Sequence, residues 1–213
     1  MIASRSLWGG TGFFGRLSGT IRKIDLAGNG KFMIDEMEVL KIVITRLESA
    51  GLHYMVTGSI AANFYTTPRM TRDIDIVIEL GEKDIEKFQS LFSGDFYVDQ
   101  ESLRHAFYDK GIFNIIHTEG IVKVDFIVRK ETEYRKLEFE RRRTILFEGI
   151  SLNVTSPEDL VLSKLYWAKE SLSEIQLRDV RNLLKTTPDM DWGYVEEWVK
   201  KLGLDEVFKE ARK

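Results

Sequence analysis

Cysteine is absent from the 213 residues. That excludes a disulfide framework, a zinc–thiolate site and a cysteine nucleophile, and it accords with a reducing, cytoplasmic setting. No apolar run approaches the ~20 residues of a membrane-spanning helix, so no membrane partner is expected. Positive charge is not in excess either. The 31 Lys and Arg against 34 Asp and Glu leave a net charge of −3, which argues against a bulk electrostatic grip on nucleic acid but permits a local basic channel. His53, His105 and His117 fall at no metal-ligand spacing and read as structural, and no Ser-His-Asp arrangement stands out. What is present is an ordinary globular composition, 43% apolar and 31% charged. A chain of this length buries about 70% of its unfolded surface.

Residues 1–32 read as a poorly structured N-terminal extension, rich in Gly, Ser and Arg, with Met33 as a candidate older start. Gly9-Gly10-Thr11-Gly12-Phe13-Phe14-Gly15 imitates a dinucleotide-binding glycine fingerprint. Such a site needs an apolar strand before the glycines and a helix after them. Here a poor strand precedes, Leu17-Ser18-Gly19-Thr20 is a poor helix, and no complete βαβ unit follows. A targeting peptide lacks an apolar core.

Helical spacing of Met37, Leu40, Ile42, Val43, Ile44 and Leu47 predicts a helix over 34–50, stopped at Gly51. Residues 53–57 read as a short strand, Ser59 as the cap of a helix over 60–65, and 66–70 as a loop. A strand over 73–80, an amphipathic helix over 82–92 and a strand over 96–99 follow. Residues 101–108 suit either helix or extended chain. Strands over 112–117 and 121–128, linked by Thr118-Glu119-Gly120, predict an antiparallel hairpin. Residues 132–142 are charged and helix-prone, and 144–147 with 150–154 form a second hairpin about Glu148-Gly149. Ser156 as cap, Pro157 at the first position and acids in the first turn open a further helix. Others are expected over 173–185, 192–201 and 204–211. The fold class is therefore α+β: a mixed sheet flanked by helices over 33–154, then a C-terminal helical lobe over 155–213.

The densest signal lies at Thr71-Arg72-Asp73-Ile74-Asp75-Ile76-Val77-Ile78. Side chains alternate along a strand, so Asp73 and Asp75 share a face about 7 Å apart while the isoleucines point to the core. Paired carboxylates repel unless a cation lies between them. Magnesium takes carboxylate and phosphate oxygens together, so the pattern suggests metal-assisted chemistry on a phosphate. Gly58-Ser59 lies upstream. Asp125, on the strand-like Lys123-Val124-Asp125-Phe126-Ile127-Val128, offers a third acid on the face of Lys123 and Ile127.

These three elements in order resemble the DNA polymerase beta-like nucleotidyltransferase superfamily: a Gly-Ser pair opening a helix, two acids one residue apart, then an acid on a later strand. Thr57-Gly58-Ser59-Ile60-Ala61-Ala62 with Thr71-Arg72-Asp73-Ile74-Asp75 is similar to the small bacterial branch that includes AbiE-type toxins. So are Ser156-Pro157-Glu158-Asp159-Leu160, Lys164-Leu165, Arg178-Asp179 and Leu183-Leu184. The resemblance covers about Met33 to Leu184. It implies transfer of a nucleoside monophosphate from an NTP to a hydroxyl of tRNA, a protein or a small molecule, with release of pyrophosphate. Two Mg2+ ions would be held by Asp73, Asp75 and Asp125, and Asp125 would also help to take the acceptor's proton. Gly58, Ser59, Arg72 and Lys164 would hold the nucleotide; Lys164 matches a lysine and Asp179 an acidic position of the toxins, and both are counted with the expected catalytic residues. A cognate antitoxin is an implied partner.

Plainer readings stand beside each of these. An Asp-x-Asp on a strand is commonly a solvated face. Arg69 and Arg72 suit surface pairing as well as phosphate, and Arg141-Arg142-Arg143 suits a solvated helix end as well as an RNA backbone. Lys164 could snorkel, Arg178-Asp179 could be an interlobe salt bridge, and Tyr65, Tyr166 and Trp167 could be core rather than base-stacking residues. The rival function is a non-catalytic binding module that keeps the fold, such as a toxin–antitoxin partner.

Overall fold

Alternating aliphatic residues build the centre of the protein. In the computed structural model, which describes residues 34–171 and 173–213, Ile74, Ile76 and Ile78 are fully enclosed while Asp75 and Val77 between them are half-buried on the opposite face. Val122, Val124, Phe126 and Val128 repeat the pattern around Lys123, Asp125 and Ile127. The extension over 1–32 and its glycine-rich motif lie outside the described residues.

The described chain runs α1 (Glu36–Ser49), β1 (Tyr54–Thr57), α2 (Gly58–Asn63), β2 (Ile74–Ile78), α3 (Asp84–Phe92), β3 (Phe96–Val98), α4 (Gln100–Asp109), β4 (Ile112–His117) and β5 (Val122–Val128). It continues through α5 (Glu133–Glu140), β6 (Arg143–Phe147), β7 (Ile150–Val154), α6 (Pro157–Ser171), α7 (Glu174–Thr186), α8 (Trp192–Lys201) and α9 (Asp205–Ala211). One seven-stranded sheet takes the order β3-β4-β5-β2-β1-β7-β6. It is mixed: β2 runs antiparallel to β1 and parallel to β5, and β1 runs parallel to β7. With helices about the sheet and four more at the C-terminal end, the architecture is the α+β class expected.

One sheet face is aromatic. Phe113 and Phe126 stack with centroids 5.3 Å apart, and Phe88 of α3 meets both edge-on. Because successive residues of a strand face opposite ways, this packing turns Asp125 to the other face. There α6 packs against α2, α7, α8 and α9. Its Leu160, Val161, Leu162, Leu165 and Ala168 are fully enclosed, as a helix surrounded by other elements requires.

Three boundaries near the acid pair and its strands differ from expectation, each for a local reason. Thr57, not Ser59, is the N-cap of α2, two residues earlier, because the chain turns at Gly58 with φ +65°; Thr57 makes no side-chain cap bond. β2 starts at Ile74, so Asp73 lies just outside it: β1 reaches only to Thr57 opposite Asp75, and the pairing with β5 begins at Ile74. The turn between β4 and β5 takes in Ile121, which adopts φ +51°. Residues 101–108, open between helix and extended chain, are helical, with the Asp99 carboxylate accepting from the Ser102 amide.

Candidate active site

Strand register assembles the site. Thr57 is paired with Asp75, Asp75 with Asp125, and Asp125 with Asn114. Adjacent strands lie about 4.8 Å apart and directly paired residues point the same way. Two carboxylates thus stand side by side in a polar row across β1, β2, β5 and β4. The next row, Val77, Ile127 and Ile112, is aliphatic.

Gly58 ends β1 beside this row, and the fold needs glycine there twice over. Its φ of +65° disfavours any side chain, and a Cβ would lie 2.0 Å from Asp75 Oδ2. The Asp75 carboxylate therefore sits against the glycine backbone. Burial pushes its pKa upward, and the charges of Asp125 and Asp73 add to the rise against the opposing pull of Lys164 and Lys123.

Behind the row lies a compensated cluster. The Lys164 ammonium, 5% exposed, donates to Asp179 Oδ2 at 2.8 Å and to Gln176 Oε1 at 3.3 Å. Arg69 grips the same carboxylate through Nε at 3.2 Å and Nη2 at 3.0 Å, and Nη2 also reaches Ser59 Oγ at 2.6 Å. Burial alone would raise the Asp179 pKa, but hydrogen bonds from Arg69 and Lys164 outweigh it and hold the carboxyl below its ordinary value. The cluster spans the loop before β2, α2, α6 and α7.

Between row and cluster opens a cleft of about 280 Å³. Thr57, Gly58, Ser59, Asp75, Asp125 and Lys164 line its polar side, with Ser163 and Gln176; Ile112, Ile127, Leu160 and Trp167 line the apolar side. Asp179 lies behind Lys164 rather than in the lining. Arg72 and Asp73 are exposed in the loop before β2, also outside the lining, although the Asp73 charge is felt at Asp75.

Among the described residues, no three His, Cys, Asp or Glu side chains converge as a ready-made metal cluster. The donor chemistry nonetheless suits a hard cation. Magnesium is commonly held by one or two carboxylates and completed by substrate phosphates and water. Asp75 and Asp125 supply two neighbouring carboxylates whose mutual repulsion a cation relieves.

The remaining candidates divide. Arg141, Arg142 and Arg143 do not form a free basic patch. Arg141 pairs with Asp159 at 3.2 Å and stacks on Tyr194, Arg142 donates to the Phe139 carbonyl at 2.6 Å, and Arg143 pairs with Glu158 at 3.1 Å. Tyr166 and Trp167 are 41% and 52% exposed rather than core. Nothing in the sequence alone marks Asn114. A strand starting at residue 121 places Phe113 opposite Asp125; with Ile121 in the turn the register moves by one and Asn114 takes that place.

No protein-family model matches the chain, and no curated protein matches it. Solved structures do. The solution structure of the antibiotic-resistance factor ANT(2'')-Ia superposes with a TM-score of 0.53 over 82% of this chain and 96% of that one, at 11% identity. The crystal structure of the lincosamide antibiotic adenylyltransferase LnuA, bound to lincomycin, superposes with a TM-score of 0.50 over 72% and 99%, at 16% identity. At these identities the likeness is one of fold: the chain has the nucleotidyltransferase fold.

Proposed function

We propose that this chain is a magnesium-dependent nucleotidyltransferase, moving a nucleoside monophosphate from an NTP to a hydroxyl acceptor with release of pyrophosphate. The observation that carries the reading is the paired Asp75 and Asp125 at the Gly58 turn, on the face of this fold that opens into the cleft. The bound ions would supply Lewis-acid stabilisation of the phosphoryl oxygens. Asp75 and Asp125 would hold them, with Asp73 closing in from the loop. Asp125 would also draw the proton from the acceptor hydroxyl.

Gly58 and Ser59, in the cleft lining, are the stretch assigned to the triphosphate, and Arg72, exposed in the loop before β2, would reach it from outside the lining. The Lys164 ammonium, fixed at the cleft edge by Asp179, offsets the charge on the terminal phosphates. In this reading Asp179 and Arg69 position Lys164 and Ser59. The likeness of Lys164 and Asp179 to AbiE-type motifs supports a bacterial, cytoplasmic toxin-like enzyme with a cognate antitoxin. The cleft supports a small acceptor instead of tRNA. Among the described residues Lys164 is the one basic side chain in its lining and is engaged by Asp179, whereas Ile112, Ile127, Leu160 and Trp167 offer an apolar wall. LnuA, of like fold, is an adenylyltransferase seen with lincomycin, a small molecule.

The test is incubation with each α-labelled NTP, Mg2+, and either total tRNA or a small-molecule extract, following label and pyrophosphate. Asp75→Ala should cut transfer by at least ~10³-fold, in keeping with the size of lost electrostatic stabilisation. Undiminished transfer in that variant would falsify the assignment. Nucleotide binding that leaves no pyrophosphate with either acceptor would instead favour the non-catalytic module.

A further inference from the structure

Lys123 stands among the acids without belonging to the cluster behind them. It precedes Asp125 by two residues on β5 and so shares its face. Its Nζ lies 2.7 Å from Asp125 Oδ2. That hydrogen bond is the foremost influence on the ammonium, and the charges of Asp125, Asp73 and Asp75 all favour its charged form. One amine therefore sits in the field of all three carboxylates.

The two lysines near the acids differ in freedom. Lys164 is 5% exposed and tied to Asp179 and Gln176, whereas Lys123 is 44% exposed and its partner is an acid of the row. An exposed ion pair on a flexible stem contributes little to stability, so this ammonium can leave at small cost. While in place it occupies one of the two Asp125 oxygens, Oδ2. A divalent cation and an ammonium cannot share that carboxylate without repulsion.

We propose that Lys123 is the resident counter-ion of the acid row, displaced from Asp125 when a divalent cation enters, and that it thereby sets the metal affinity of the site. The proposal rests on the reading of Asp75 and Asp125 as metal ligands. With Lys123 removed, the acids repel more in the empty site and an entering ion meets no competitor. Metal affinity should rise while metal-free stability falls.

The experiment is Mn2+ titration of the full chain without nucleotide, read from the electron paramagnetic resonance signal of free Mn2+, on wild type, Lys123→Met, Lys123→Arg and Asp125→Asn. Lys123→Met should bind Mn2+ about three- to tenfold tighter, equivalent to ~0.7–1.4 kcal/mol. Lys123→Arg keeps the charge and should match wild type, and Asp125→Asn should lose the site. Thermal melts give a second readout: Lys123→Met should start lower without metal and gain more on adding Mg2+. Equal or weaker Mn2+ binding by Lys123→Met overturns the proposal while leaving the metal site standing. Absence of Mn2+ binding in every form overturns both.

Discussion

Asp75 lines the cleft, Asp179 lies behind Lys164, and the two acids are treated in opposite ways. Asp179, 5% exposed, receives Arg69 and Lys164, and its carboxyl is held below the ordinary value. Among the described residues Asp75 receives no such partner: it is half-buried beside Asp125 and near Asp73, and its pKa is raised. A fold with lysine and arginine so close could have neutralised both. That it neutralises one and leaves the other in repulsion separates their uses. The satisfied carboxylate is architecture that fixes two cations, and in the proposed reading the repelled one is left for a bound cation to offset.

Removing the satisfied acid should do the most damage. Asp179→Ala strands Lys164 and Arg69, both of which point at it from separate elements. Breaking a buried pair by deleting one partner costs ~3–5 kcal/mol, and chemical denaturation should register a loss of that order. A variant within ~1 kcal/mol of wild type, the worth of an exposed pair, would place Asp179 among ordinary surface pairs and erase the contrast.

The second break acts on geometry. Gly58→Ala introduces a Cβ 2.0 Å from Asp75 Oδ2 at φ +65°, so the carboxylate must move. Gly51→Ala is the control, since its φ of +64° carries the same backbone strain with nothing within 4 Å of the new Cβ. Each should lose ~1–3 kcal/mol from strain. Only Gly58→Ala should also lose transfer activity, by about 100-fold, the effect of shifting a reacting group by ~1 Å. Equal activity in the two variants would show that the glycine serves the turn alone.

The sequence made one half of the comparison far more legible than the other. Period-two alternation at Ile74, Ile76 and Ile78 and around Asp125 marks the strands, and the turn at Gly58 marks the end of β1, so the acid row could be read almost entire. What escaped was whatever depends on register or on distant pairing. A single extra turn residue, Ile121, decides whether Asn114 or Phe113 stands opposite Asp125. Asp73, expected on the strand, falls outside it because its neighbours stop pairing first. The tie of Arg69 to Asp179 and Ser59 joins segments far apart in sequence, and nothing local announces it. For the same reason the arginine run at 141–143 looked like a free basic end. Its partners, Asp159, Glu158 and the Tyr194 ring, lie on α6 and α8.

The smallest effect is also the most direct test of the contrast, because the two acids should leave opposite marks on stability against pH. Asp179 has a lowered folded pKa. Its contribution is complete above the ordinary carboxylate value near ~4 and is lost as pH falls through the lowered one. Asp75 has a raised folded pKa. Its contribution is complete below ~4 and is lost as pH rises through the raised one. In metal-free buffer Asp75→Asn should therefore be more stable than wild type at pH 7, melting higher by roughly 2–4 °C, the shift that ~1 kcal/mol makes in a chain of this size. The gap should narrow as pH falls toward the ordinary carboxylate value near ~4, because Asp75 takes up its proton at a higher pH than an ordinary carboxyl. Below that, both proteins should weaken in parallel, since each keeps Asp179. Melts that show Asp75→Asn less stable than wild type at pH 7 would mean that the carboxylate holds the fold together, and the two acids would then differ in degree and not in kind.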